Sequence, residues 1–190
     1  MSLKEQIAAR LHGRVVVLGI GNPERGDDGA GSVVAQRIQG GAGFRVFDAQ
    51  DVPENYLGPI VAARPDTVIL IDAVDLGAAP GSVSILTKDH LAGYWPSTHR
   101  IPLSLVMNYL ERETGADVFL VGVQPAQLEF GQPMSETVRR TATDLAAVIE
   151  DIMASRQYGE DALEADCAQT PSDGWWTRMR YLLLGAASGG

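Results

Sequence analysis

The stretch Val15–Gly31 reads VVVLGIGNPERGDDGAG and decides the fold class. Its opening residues, Val15–Ile20, are β-branched or apolar with almost no alternation, which is typical of a strand buried on both faces of a parallel sheet. A glycine-rich turn follows, and Ser32–Ile38 then spaces apolar residues as one face of a helix does. The stretch therefore predicts a buried strand, a tight turn and a helix, the opening unit of an α/β domain.

The same alternation of strands and helices continues along the chain. The pattern predicts further strands at Phe44–Asp48, Thr67–Ile71, Ser82–Leu86 and Val118–Val123, and helices at Glu54–Ala63, Leu103–Thr114 and Ser135–Met153. Such alternation is typical of βαβ units. Ser82–Leu86 alternates in polarity and follows Pro80-Gly81, which favours an edge strand. We therefore expect a three-layer αβα sandwich with a mostly parallel five-stranded sheet and one antiparallel edge strand.

The chain divides into two parts of different character. Residues 1–153 contain all of the predicted strands and form the expected domain. Residues 154–190 are polar and acidic, then carry a segment beginning at Trp175-Trp176 and end in Gly and Ser. Trp175, Met179 and Leu182 are spaced as one apolar helix face. We expect a C-terminal tail with one short amphipathic helix, which either packs on the domain or docks a partner.

Composition excludes several classes of function. The formal net charge of the 190 residues is −9, which argues against binding nucleic acid and against adhesion to anionic membranes. One cysteine, Cys167, rules out an intramolecular disulfide and a multi-thiolate zinc site. Residues 1–13 carry charges throughout and lack the apolar core of a signal peptide. No apolar run approaches the length of a membrane span. These features predict a cytoplasmic protein without membrane insertion.

The glycine-rich turn does not match the common nucleotide-binding patterns. A dinucleotide fingerprint needs a third glycine three residues after Gly21, and Glu24 stands there. Asp27 and Asp28 fall near the start of the helix, where they would repel a pyrophosphate. The Gly-Lys-Ser/Thr of a phosphate-binding P-loop is also missing.

Two carboxylates follow buried strands and are candidates for one shared site. Asp28 follows the first strand and Asp72 the third, and ligands of open α/β sheets bind beyond the carboxyl ends of strands. If those strands are neighbours, both side chains reach one crevice. The structural alternatives are that one acid of the Asp27-Asp28 pair caps the helix and that Asp72 is a turn residue bonding backbone amides. Asp75 is a turn residue in this interpretation.

A histidine completes the candidate set. His12 and His90 lie in polar surroundings, whereas His99 directly precedes a predicted helix. By itself such a histidine is a surface or capping residue, but two carboxylates and one imidazole, with water, suit a divalent ion such as nickel or zinc. Because the three residues are far apart in sequence, no short spacing identifies a metal site.

Taken together, the motifs resemble those of the hydrogenase-maturation endopeptidases, and are most similar to the branch that serves the formate-hydrogenlyase hydrogenase. The resemblance runs in order from about Val15 to Met153. It is carried by Gly19–Asn22 with Gly26–Gly31, Ala49–Asn55, Ile71–Asp75 with Pro80-Gly81, Ser97–His99 with Pro102-Leu103, and Val121–Pro125.

The resemblance implies a function and a set of site residues. Enzymes of this family remove a C-terminal peptide from the nickel-loaded precursor of a [NiFe]-hydrogenase large subunit. Their metal-contacting positions correspond here to Asp28, Asp72 and His99, with Asp28 and Asp72 also catalytic. Many relatives carry Glu at the position of Asp28, so the shorter side chain draws this ligand back. The resemblance further implies that nickel arrives with the substrate and that no permanent cofactor is needed; we expect a monomer.

Two other functions remain open from the residues alone. The first is a non-catalytic nickel-sensing chaperone or metal carrier on the same fold, which would bind the precursor without truncating it. The second is a nucleotide-binding oxidoreductase, which a titration with NAD and NADP would detect.

Overall fold

The computed structural model describes residues 1–41, 43–91 and 101–156. Within them a five-stranded sheet has the order β2-β1-β3-β5-β4. Its strands are β1 (Val15–Ile20), β2 (Phe44–Gln50), β3 (Thr67–Ala73), β4 (Val83–Leu86) and β5 (Asp117–Val123). All neighbouring pairs are parallel except β4 with β5, which is antiparallel. The predicted mostly parallel sheet with one antiparallel edge strand is confirmed.

Helices cover both faces of the sheet. They are α1 (Leu3–Arg10), α2 (Ala30–Arg37), α3 (Leu57–Ala62), α4 (Lys88–Leu91), α5 (Leu103–Thr114) and α6 (Glu136–Ser155), with short 3₁₀ helices at Gly26–Gly29 and Pro53–Tyr56. Side chains of α1, α2 and α6 form one apolar core with one face of the sheet. Those of α3 and α5 form a second core with the other face. The predicted three-layer αβα sandwich is therefore confirmed. No helix in the described part of the chain has an apolar stretch of the length that spans a bilayer.

The central strands are buried as their sequences predict. Every residue of β1 is buried, and so is every residue of β3 up to Asp72. Alternate side chains enter opposite cores: Val15 and Val17 face α2 and α6, while Val16 and Leu18 face α3 and α5. A strand with helices on both sides has no solvent-facing side, so it lacks polar alternation.

Two local features differ from the sequence-based expectation. Residues Leu3–Arg10 form α1, although this segment reads as polar; a capping box between Ser2 and Glu5 begins the helix, and Ile7 is its buried residue. The helix predicted at Glu54–Ala63 is divided into a 3₁₀ turn and α3. The predicted tail begins near the end of the described residues, so its helix and its boundary at residue 154 stay predictions.

The carboxylate of Asp27 joins the turn after β1 to the loop after β5. It is fully buried. Its Oδ2 accepts hydrogen bonds from the Ala126 N–H (2.8 Å), the Gln127 N–H (3.2 Å) and the Ser135 hydroxyl (2.9 Å), and its Oδ1 accepts the Ser135 N–H (2.6 Å). Ser135 is the N-cap residue of α6. One buried side chain thus fixes the turn, the loop and the start of α6 together.

The start of α6 is also favoured by charge. Glu136 lies in its first turn, where the helix dipole favours an anion. Hydrogen bonds from the side chains of Arg139 and Arg140 hold the pKa of Glu136 below its ordinary value. Because Glu136 is exposed, the interaction adds little to stability.

Removing the buried charge at Asp27 should weaken the fold. Asn has one acceptor oxygen, and its NH₂ group would face N–H donors. Since a hydrogen bond to a charged group contributes about 1.5–3 kcal/mol, we expect Asp27→Asn to lower the free energy of unfolding by about 3 kcal/mol. Urea denaturation measures this. Asp151→Asn, which removes an exposed ion pair with Lys4, is the control and should cost less than about 1 kcal/mol. Equal losses in the two variants would contradict the account.

The contact of Gly31 with the sheet predicts a second weak point. A methyl group there would lie 2.0 Å from the Ile71 carbonyl oxygen and 2.4 Å from that of Ile20. Because backbone atoms cannot rotate away, we expect Gly31→Ala to lower the free energy of unfolding by about 3 kcal/mol or more. The control is Gly41→Ala, where the added methyl meets no atom within 4 Å. Thermal unfolding of both variants provides the comparison, and an unchanged melting temperature for Gly31→Ala would refute the prediction.

Candidate active site

The turn after β1 is shaped by glycines at positions where no side chain fits. Gly21 has φ 122°, and a Cβ there would lie 1.7 Å from the carbonyl oxygen of Asp28. The turn therefore folds back on itself so that the 3₁₀ helix Gly26–Gly29 lies against the end of β1. In this way the glycines bring Asp28 to the carboxyl edge of the sheet.

Asp28 is held by the backbone of the same turn. Its side chain is buried, and its Oδ2 accepts a hydrogen bond of 3.0 Å from the Asn22 N–H. Asn22 is itself fixed, because its side-chain oxygen accepts the Glu24 N–H and its carbonyl accepts the Arg25 N–H. Within the described residues no cation forms an ion pair with Asp28. A buried carboxylate with one local hydrogen bond retains the capacity to bind a further donor or a cation.

Asp72 lies in the adjacent strand at the same edge. It is the penultimate residue of β3, where it is buried and pairs with Gly122 of β5. Its Oδ1 accepts a 2.8 Å hydrogen bond from the N–H of Ala73. This bond is the amide contact that a purely structural turn residue would make. The even-numbered residues before it, Val68 and Leu70, face α3 and α5, so the alternation of the strand directs Asp72 towards that layer.

Asp28 lies in the turn that follows β1, and Asp72 lies near the end of β3, the strand next to β1. β1 pairs with β3 in parallel, with Gly19 opposite Ile71. Gly31, near the start of α2, lies against the carbonyl groups of both Ile20 and Ile71. The segment containing Asp28 therefore contacts the ends of β1 and β3 together, next to Asp72. The condition that the sequence left open, adjacency of the first and third strands, is met.

The third predicted residue, His99, lies outside the described residues. Its neighbour in sequence is α5, which begins at Leu103, and α5 is anchored by Lys88 of α4, whose amine bonds to Glu111. The hydrogen bond from Lys88 to Glu111 raises the pKa of the lysine. Within the described residues, no group of three His, Cys, Asp or Glu side chains is placed to hold a metal ion. The grouping of Asp28, Asp72 and His99 therefore stays a prediction.

The two adjacent aspartates of the turn have separate partners. The sequence suggested that one of them caps the following helix, yet the N-cap of α2 is Gly29 and no side chain caps it. Asp27 instead bonds the loop after β5, and Asp28 bonds Asn22. Asp75 accepts the Gly77 N–H and is exposed, as expected of a turn residue.

Sequence reasoning did not identify Gln124 as a residue that organises the site. It is buried at the end of β5, and its Oε1 accepts the N–H groups of Leu76 and Ala78. These bonds fix the loop that follows β3, a strand that ends one residue after Asp72. The Gln124-Pro125 motif was the available signal, because a polar residue that ends a buried strand needs partners for its amide.

The sequence profile described as hydrogenase maturation protease matches residues 33–152 of the chain. The hydrogenase 3 maturation protease of Escherichia coli strain K12 is 29% identical over 154 residues, which cover 80% of this chain and 98% of the relative.

Solved structures agree with the match. A crystal structure of a [NiFe] hydrogenase maturation protease, HycI from Thermococcus kodakarensis KOD1, superposes with a TM-score of 0.74 at 33% identity, covering 78% of this chain and 99% of that one. The solution structure of the endopeptidase HycI from Escherichia coli gives a TM-score of 0.65 at 30% identity, covering 72% and 89%. The carboxylates at the ends of β1 and β3 thus lie in a fold shared with these proteases, and the chain belongs to the hydrogenase maturation protease family, as an endopeptidase.

Proposed function

We propose that this endopeptidase removes the C-terminal peptide from the nickel-loaded precursor of a [NiFe]-hydrogenase large subunit. The observation that carries the proposal is the position of two buried carboxylates, Asp28 and Asp72, at the carboxyl ends of neighbouring parallel strands. This edge is where open α/β sheets bind their ligands. Family membership supports the substrate class, since the relatives are hydrogenase maturation proteases.

Nickel carried by the precursor is the proposed ligand of Asp28, Asp72 and His99. Two carboxylates and one imidazole, with water or substrate atoms completing the shell, suit a borderline divalent ion. Topology supports a contribution from His99. Because α5 ends next to the start of β5, its beginning at Leu103 lies towards the carboxyl edge of the sheet, and His99 precedes it by only four residues.

Electrostatics would let the site distinguish loaded from empty precursor. Two buried carboxylates at one sheet edge attract a divalent cation, so a nickel ion that docks with the substrate interacts favourably with both. Precursor without nickel lacks this attraction, so its tail would be held less tightly and cleaved more slowly.

Hydrolysis can follow either of two routes from this arrangement. In the first, the substrate's nickel polarises the scissile carbonyl or activates a water molecule, while Asp28 and Asp72 hold the ion. In the second, one of the two aspartates accepts a proton from the attacking water as a general base. Both routes need oriented carboxylates, and the hydrogen bonds from the Asn22 and Ala73 N–H groups help to orient them.

The proposed function also implies a compartment, an oligomeric state and a partner. We propose that the enzyme works as a monomer in the cytoplasm and that the precursor is its macromolecular partner. The single cysteine supports a reducing compartment. The net charge of −9 makes nucleic acid an unsuitable ligand.

Neutralising either carboxylate should abolish processing without unfolding the protein. Asn has nearly the size of Asp but supplies neither the negative charge nor a basic oxygen. We expect Asp28→Asn and Asp72→Asn each to reduce the rate of precursor cleavage by about a hundredfold or more, the range typical of losing general-base catalysis. Gel-shift assays with purified nickel-loaded precursor measure this, and circular dichroism checks the fold.

Asp75→Asn is the matched control, because Asp75 is an exposed acid only three positions after Asp72. It should process at the wild-type rate. Full processing by both active-site variants would refute the site. Binding of precursor by the wild type without any truncation would instead indicate the non-catalytic chaperone.

Replacing His99 should affect recognition of the metal. With the imidazole gone, two protein ligands remain, so we expect His99→Ala to bind nickel-loaded precursor about tenfold more weakly while its affinity for nickel-free precursor stays the same, since lost supporting ligands typically cost 10–100-fold. Isothermal titration with both forms of the precursor makes the comparison. If His99→Ala and the wild type bind the loaded precursor equally, His99 does not belong to the site.

A further inference from the structure

The loop between β5 and α6 is bonded along the glycine-rich turn that carries Asp28. Besides the bonds to Asp27, the Gly131 N–H donates to the Glu24 carbonyl at 2.7 Å and the Asp27 N–H donates to the Gln127 carbonyl at 3.1 Å. Within the loop, the side-chain NH₂ group of Gln127 donates to the Pro133 carbonyl. We call the line where residues 22–27 meet residues 124–134 the seam. Its two sides are held in one register by backbone hydrogen bonds.

Phe130 projects from the seam into solvent. Its side chain is 69% exposed, and it directly precedes the Gly131 that bonds to Glu24. A single exposed apolar residue is common on protein surfaces. Phe130 differs because the backbone around it is fixed by several hydrogen bonds, so ordering it on binding costs little entropy. Aromatic residues including Phe are enriched in protein interfaces, and Arg is among the residues that most often carry the binding energy.

Arg25 supplies an unused hydrogen-bond donor on the other side of the seam. Its Nε is buried and, within the described residues, has no acceptor. Arg25 also forms no ion pair with any described residue. Its backbone is fixed, since its N–H donates to Asn22 and its carbonyl accepts the Asp28 N–H. A buried donor without a partner costs about 1–3 kcal/mol, and a ligand that supplies an acceptor oxygen recovers this free energy.

The exposed Phe130 side chain and the Arg25 Nε donor together favour one kind of ligand. A metal ion would be repelled by the guanidinium, and a small anion would gain nothing from Phe130. A polypeptide offers both an apolar side chain and a carbonyl or carboxylate oxygen within a few residues. A polypeptide substrate must also approach this edge of the sheet if its peptide bond is to reach Asp28. Arg25 lies next to that position, because its carbonyl accepts the Asp28 N–H.

We propose that the seam is a docking surface for the polypeptide of the hydrogenase precursor, with Phe130 packing on an apolar side chain and Arg25 donating to an oxygen of the bound chain. This inference rests on the proposed function for the identity of the precursor. It assigns Phe130 and Arg25 to binding and gives them no part in the chemistry.

The test is a set of variants assayed for both binding and cleavage of the unprocessed, nickel-loaded precursor. We expect Phe130→Ala and Arg25→Gln each to raise the Kd, and the KM, about tenfold, as substitutions at interface hot spots do. Their kcat at saturating precursor should stay within about twofold of the wild type, because uniform binding energy affects KM alone. Phe130→Leu keeps most of the apolar area and should restore most of the affinity.

Arg112→Gln is the matched control, because Arg112 is an exposed arginine in the last turn of α5 and lies outside the seam. It should bind as the wild type does, and thermal unfolding confirms that all variants fold. Wild-type Kd values for both Phe130→Ala and Arg25→Gln would overturn the docking surface while leaving the proposed function intact. Failure of the wild type to cleave would contradict the proposed function, and the Kd comparison would still decide the docking surface.

Discussion

The contact of the α2 segment with the ends of two strands is the constraint on which this structure depends. At Gly31 the backbone approaches the carbonyl oxygens of Ile20 and Ile71 so closely that a Cβ would overlap both. At Gly19 a Cβ would lie 2.2 Å from the carbonyl oxygen of Gly31 itself. Because these are backbone contacts, they fix the height of the turn above the sheet. Asp28 is carried by that turn, so its distance from the end of β3 is set by glycines.

The two aspartates of the turn illustrate how identical side chains acquire different roles. Asp27 is surrounded by N–H and O–H donors from Ala126, Gln127 and Ser135, which satisfy its charge internally. Among the described residues, Asp28 receives one hydrogen bond, from Asn22. A carboxylate whose lone pairs are filled stabilises the fold, whereas one with lone pairs to spare can serve a ligand. The number of hydrogen-bond donors near each aspartate therefore decides which one stabilises the fold and which one is available to a ligand.

Rigidity near the carboxyl edge follows from the same bonds. The loop after β5 is bonded to the turn after β1 across the end of β3, and Gln124 bonds the loop that leaves β3. Three segments that leave neighbouring strands thus support one another. A protease that binds a polypeptide substrate benefits from such a fixed rim, because each segment that must be ordered on binding lowers the affinity.

Sequence alone determined the architecture, because buried parallel strands and the helices between them leave periodic apolar patterns. The strands at Thr67–Ile71 and Val118–Val123 and the helix at Leu103–Thr114 were predictable to within about two residues, and the motifs identified the family. The sequence missed α1, whose buried face is little more than Ile7, although Ser2 and Glu5 gave a capping signal. Tertiary structure decided the adjacency of β1 and β3, the partners of Asp27 and the hydrogen bond that joins Gly131 to Glu24. Each of these joins residues that are distant in the chain, and a local pattern carries no information about which distant donor will meet which acceptor.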